Sequence, residues 1–312
     1  MVCYSYVKDR MSCMKNKLLP LTFIGLLVLA FIPFLQYAIN DYKTIQLENR
    51  LKNDCYNNQN GFELESEHCN YIINYQHPKI DTLTMFNQSI SSIIFDIFIY
   101  VAPLFIMLCS IWTIIKEYQS GFFKKYLIRL NYPTYLKKTL LTAYKSAFIL
   151  PIIMIFLFGI SYLLAGHFDY TAAINLGYST FKIDNLSHPF IFMFSFILNK
   201  FFFSLFYINL ALLFMYKNRN ILVAILESYL SFIAIEIINE VLISSLLFYK
   251  ILHINIGYNL YILDCYSDAG INTLVYLGIS FLYAFISFVV LYFVYKNKEK
   301  TIIQSELLKG SD

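Results

Sequence analysis

The chain has 312 residues, 58% of them hydrophobic, 19% aromatic and only 14% charged, with a mean hydropathy of +0.57. Soluble domains carry about a quarter charged residues, so this composition excludes a soluble enzyme or binding module and indicates an all-α integral membrane protein. The net charge is only +4, and no basic run shows the aromatic interleaving of a nucleic-acid groove, so nucleic acid is not an expected partner.

Residues 1–17 are basic (Lys8, Arg10, Lys15, Lys17) and lead into an uncharged run at 18–38. That run is long enough to cross about 30 Å of hydrocarbon and longer than the apolar core of a cleaved leader, so an uncleaved first span is expected. Residues 40–90 are polar and acidic and read as a sizeable loop, the kind that usually serves function. The loop holds Cys55 and Cys69, and a disulfide between them would stabilise it by about 3 kcal/mol in the chain-entropy account. Cys265 is a third thiol on the same side, so spacing leaves the pairing open. Glu63, Glu65, Glu67, His68, Cys69 and His77 match no metal-site spacing, and a solvated acidic loop is the expectation.

The second span is expected at 91–115, with Pro103 inside it. Residues 116–139 then form the longest basic interruption. Phe122, Phe123, Tyr126, Leu127 and Leu130 fall on one helical face, with Lys124, Lys125 and Arg129 on the other. Such a helix can lie in a membrane interface, either as a lipid anchor or as a lever for a cytoplasmic partner. A third span follows at 140–164 with Pro151 inside, a fourth at 189–215, a fifth at 221–245 and a sixth at 273–295. The stretch 246–272 is mixed, and 296–312 is a charged tail. Prolines are tolerated in spans where neighbouring helices re-satisfy the freed carbonyls.

Lys and Arg are distributed unevenly. The segments 1–17, 116–139, 216–220 and 296–312 hold 16 of them, whereas 40–90, 165–188 and 246–272 hold 6 over more residues. The positive-inside rule then places both termini in the cytoplasm, with the basic segment inside and the acidic loop outside, in the cell membrane.

Chemistry-bearing motifs are few. There is no P-loop, no H-E-x-x-H and no G-x-S-x-G, so neither an intrinsic ATPase nor a hydrolase is expected, and no cofactor. The spans do carry charge. Lys200 in the fourth span and Glu236 in the fifth lie at similar distances from the 216–220 turn, and pairing them would offset a burial cost of about 2.5–3.5 kcal/mol each. The competing reading has Lys200 snorkelling to the outer interface. Glu240 is one helical turn from Glu236, and Glu227 lies nearer the cytoplasm. Together these four are a candidate substrate path.

A proline-bearing second span running into Glu117-Tyr118-Gln119-Ser120-Gly121, then a basic amphipathic stretch, then a third span, resembles the ABC-2 type permease family. In that family a Glu followed four residues later by Gly, usually then Thr or Ser, opens the cytoplasmic coupling helix. Glu117 and Gly121 match, and Phe122 stands where the small hydroxyl is common. The resemblance implies a half-transporter: two permease protomers, alike or different, with two copies of a separate ABC ATPase subunit that binds the ATP. It implies an ATPase-coupling role for Glu117, Gly121, Phe122, Lys124, Lys125 and Arg129, and short re-entrant outer helices within 246–272. The expected function is the permease subunit of an exporter. Its cargo would be an amphipathic peptide, a drug or a lipid-linked molecule, with antimicrobial-peptide export or immunity the first expectation. A rival from another class is a non-transporting immunity or sensor protein that binds peptide through its acidic outer loop.

Overall fold

The structure, a computed structural model, describes residues 2–58, 66–74, 81–90, 92–119, 131–166, 189–218, 220–253, 273–297 and 300. Every regular element among them is helical. Among the described residues, six helices are long and apolar enough to cross a membrane, which makes the chain a multi-pass membrane protein.

The first helix, α1, runs Val2–Asn58 and contains Pro20 and Pro33. At 1.5 Å per residue it is about 85 Å long, far more than a bilayer needs. Residues 40–58, expected as the start of a loop, therefore continue the first span as helix. The short α2, Ser66–Asn74, is tied to α1 by a disulfide between Cys55 and Cys69, whose Cα atoms are 5.4 Å apart.

The rest of the expected loop holds a second departure. Helix α3, Thr82–Ile90, is buried at eight of its nine positions and packs against α1 and the third span. Asp81 caps it, with Oδ1 accepting from the Thr84 N–H at 2.9 Å. Phe86 is fully buried and meets Phe34 at 6.0 Å and Phe196 at 5.8 Å between ring centroids. The sequence conceals this because α3 is short and half polar. Its two threonines, Asn87 and Ser89 read as loop, while its apolar residues are too few to signal a span.

The second span, α4, is Ile93–Gln119. Pro103 removes a backbone donor there, and the Tyr229 hydroxyl donates to the nearby Tyr100 carbonyl at 3.0 Å. The third span starts earlier than expected. It comprises α5 (Tyr132–Tyr144), one 3₁₀ turn (Lys145–Phe148) and α6 (Ile149–Ala165). Pro151 explains the tightened turn, because its ring disturbs the carbonyl four residues earlier, that of Ala147. Gly166 ends α6 in the left-handed region with φ 73°, its N–H donating to the Tyr162 carbonyl at 2.9 Å, a glycine C-cap.

The fourth span, α7 (Pro189–Lys217), is the centre of the bundle. In its most apolar stretch 67% of residues are buried, against 22% in the fifth span. It packs most extensively on α9 (Thr273–Tyr295), then on α8 (Ile221–Ile237) and α4. The fifth span, which begins with α8, does not stop at 245. It passes into a π-helix over Ile238–Ile251, as in the i→i−5 bond from Leu252 N–H to the Leu247 carbonyl at 3.0 Å. π segments of this length are rare. The first part of the expected re-entrant segment is thus a continuation of the fifth span, and residues 254–272 lie outside those described.

Candidate functional site: a tyrosine clamp at one end of the bundle

The C-terminal ends of α4, α7 and α9 meet the N-terminus of α5 at one end of the bundle, here termed the basic end for Lys116, Lys137, Lys138, Lys217 and Lys296. Pro133 stands in the first turn of α5, where a missing N–H costs nothing. That start places Tyr132 and Tyr135 one turn apart, both buried. The Tyr132 hydroxyl donates to the Tyr295 carbonyl at 2.6 Å, and the Tyr295 hydroxyl donates to the Leu212 carbonyl at 2.9 Å. The Tyr216 ring meets that of Tyr295 edge-on at 5.1 Å. Tyr118 and Glu117, on the last turn of α4, lie within electrostatic reach of Tyr135. One chain of side chains therefore runs from α4 and α5 through α9 to α7.

Chemically this arrangement is a mechanical joint. Each neutral hydrogen bond contributes about 1 kcal/mol net, and an edge-on aromatic pair adds about 0.5–1.5 kcal/mol. The Tyr295 carbonyl is one of the last four of α9, which lack intrahelical partners, so the Tyr132 hydroxyl satisfies a group that burial would otherwise penalise. Between the two flanks of this joint lie residues 120–130. Gly121, Phe122, Lys124, Lys125 and Arg129 fall there, outside the described residues. Glu117 is half-buried at the edge of the joint.

A second polar network lies along α7. Asn209 is 1% exposed. Its Oδ1 accepts from the Tyr144 hydroxyl at 2.8 Å, and its Nδ2 donates to Ser287 Oγ at 2.9 Å and to the Ala284 carbonyl at 3.3 Å. A buried amide satisfied at both ends ties α5, α7 and α9 together, as polar side chains do between membrane helices.

The intramembrane charges occupy distinct places. Lys200 is 2% exposed, its Nζ 5.3 Å from the Phe196 ring centroid, so it lies inside the bundle and does not snorkel. Glu236 is half-buried, within electrostatic reach of Tyr207, Tyr283 and Tyr100, where α4, α7 and α9 converge on α8. Two further amides are buried in this half of the bundle, Asn199 on α7 and Asn239 three residues beyond Glu236. Asn199 Nδ2 donates to the Tyr276 carbonyl at 3.5 Å, and Asn239, 4% exposed, reaches Tyr283. Among the described residues, Asn199 Oδ1 has no hydrogen-bond partner. Glu240 is exposed, unlike its neighbour Asn239. Glu227 accepts from Asn218 Nδ2 across the turn between α7 and α8, which makes it a brace for that turn. No group of three metal-ligating side chains occurs among the described residues.

Comparisons with protein-family models, with curated proteins and with solved structures find no match.

The clamp tyrosines and Asn209 are the site residues that sequence reasoning missed. Tyrosines at span ends are ordinary interface residues, so nothing local marks them. Asn209 did carry a signal, a lone amide in the middle of an apolar run.

Proposed function

We propose that the chain is the permease subunit of an ATP-binding cassette exporter. It moves an amphipathic substrate outward by alternating access, driven by a separate ATPase subunit. The observation that carries this reading is the tyrosine clamp, which bonds the α5 flank of residues 120–130 to α7 and α9 and sets Tyr118 and Glu117 of the α4 flank beside Tyr135. A push on that segment reaches the central helix through bonded side chains, and rigid-body rocking is the usual result of such a push. In this reading Glu117 and Gly121 set the entry of the coupling segment, Phe122 seats it, and Lys124, Lys125 and Arg129 face the ATPase. The basic end is cytoplasmic, two permease protomers pair with two ATPase subunits, and Glu236 with Asn239 beside it lines the path.

The test is Glu117→Lys. The reversed charge should abolish co-purification of the ATPase partner or its transport-coupled turnover while leaving the permease folded. Normal co-purification and normal turnover would refute the docking role.

A further inference from the structure

At the basic end, beside Tyr216 of the clamp, α7 and α9 border a groove of about 890 Å³. Leu213, Val290 and Phe293 form its apolar walls, and Lys217, Asn297 and Lys300 stand at its polar rim. Phe293 is 66% exposed and Val290 46%, so the groove opens on the outer surface of the bundle and does not lead into a central path. From Val290 to Asn297 it spans about 10 Å of helix axis, passing from lipid-facing apolar residues to a cationic rim. The rim is ordered by Asn297, whose Oδ1 accepts from the Lys300 N–H at 3.1 Å. Lys217 reaches it from the last turn of α7.

We infer that this groove binds an anionic phospholipid, its phosphate headgroup between Lys217 and Lys300 and an acyl chain along Leu213, Val290 and Phe293. Charge complementarity selects the headgroup and the continuous apolar wall selects the chain, so the two halves of the site require one amphiphilic ligand. Basic pockets between membrane helices at the headgroup level take such lipids, and the volume is that of an ordinary ligand site. The site goes beyond transport and is independent of any ATPase.

The experiment is native mass spectrometry of the full chain released from micelles containing phosphatidylglycerol or phosphatidylcholine, with inorganic phosphate as the soluble competitor. Phosphatidylglycerol should be retained in preference to phosphatidylcholine. Lys217→Gln or Lys300→Gln should weaken retention about five-fold each, and both together about 30-fold. Lys137→Gln, an exposed lysine at the same end but outside the groove, should change nothing. Millimolar phosphate should not displace the lipid. Equal retention of the two lipids, full retention by the double variant, an equal loss with Lys137→Gln, or displacement by free phosphate would each overturn the site. Should the double variant fail to fold, photo-crosslinking of an azide-bearing phosphatidylglycerol to the unaltered protein decides. Adducts should fall on 213–217 and 290–300, and adducts confined to other segments would overturn it.

Discussion

Removing the Tyr132 hydroxyl while keeping its ring isolates the clamp from general packing. Tyr132→Phe deletes the 2.6 Å bond to the Tyr295 carbonyl. The loss comprises about 1 kcal/mol for the bond itself and a further penalty for a buried helix-terminal carbonyl left unsatisfied, about 1–2 kcal/mol in total. Tyr295→Phe deletes the 2.9 Å bond to the Leu212 carbonyl. That carbonyl lies inside α7, so its loss orphans nothing and costs nearer 1 kcal/mol. The Tyr132 bond ends on the backbone of residue 295, which the second substitution leaves in place, so the double variant should show nearly the sum of the single costs. Tyr216 is the internal control. Its hydroxyl is buried with no hydrogen-bond partner among the described residues, so Tyr216→Phe should be neutral or slightly stabilising. The assay is reversible unfolding of purified protein in mixed micelles, followed by loss of helical circular dichroism. A Tyr216→Phe cost equal to that of Tyr132→Phe, or a Tyr132→Phe cost below about 0.3 kcal/mol, would show that the clamp is not held by these bonds.

Other outcomes follow from the same structure. Asn209→Leu removes three hydrogen bonds joining α5, α7 and α9 and should destabilise the bundle by about 1–3 kcal/mol in the same assay; Asn209→Gln should recover little, because the longer amide misplaces both ends. Cys55 and Cys69 should resist maleimide until reduced, and their reduction should cost about 3 kcal/mol; labelling of both without reductant would break the assignment. An amine-directed reagent should modify exposed Lys43 and Lys217 in the folded protein and spare Lys200 until denaturation. Lys200→Glu and Glu236→Lys should each lower the yield of folded protein, and the combined swap should restore it if the two groups are partners. A swap no better than either single variant would separate them.

The spans were legible because hydrophobic length alone identifies a crossing helix. The sixth, 273–295, coincides with its helix, and the others differ at their ends. What composition could not reveal is where a helix continues into polar sequence. Residues 40–58 are polar yet helical, since nothing between Asn40 and Asn58 breaks a helix already under way. The buried α3 was hidden for the opposite reason: Asp81, Thr82, Thr84, Asn87 and Ser89 look solvated but lie among the spans. Of the candidate site, Glu117 and the intramembrane acids were visible as charges out of place. The contacts that give them a setting, Tyr132 to Tyr295 and Glu236 beside Tyr283, join residues more than forty positions apart, beyond the reach of any periodicity.

The central claim is that the segment between α4 and α5 is gripped by a nucleotide-hydrolysing partner. A photo-crosslinking amino acid at Phe122, activated in intact cells, tests it most directly. The account predicts a covalent adduct to a P-loop ATPase subunit, with a yield that changes when the cell is depleted of ATP. An adduct to lipid alone, or to a protein on the outer face of the membrane, would contradict it.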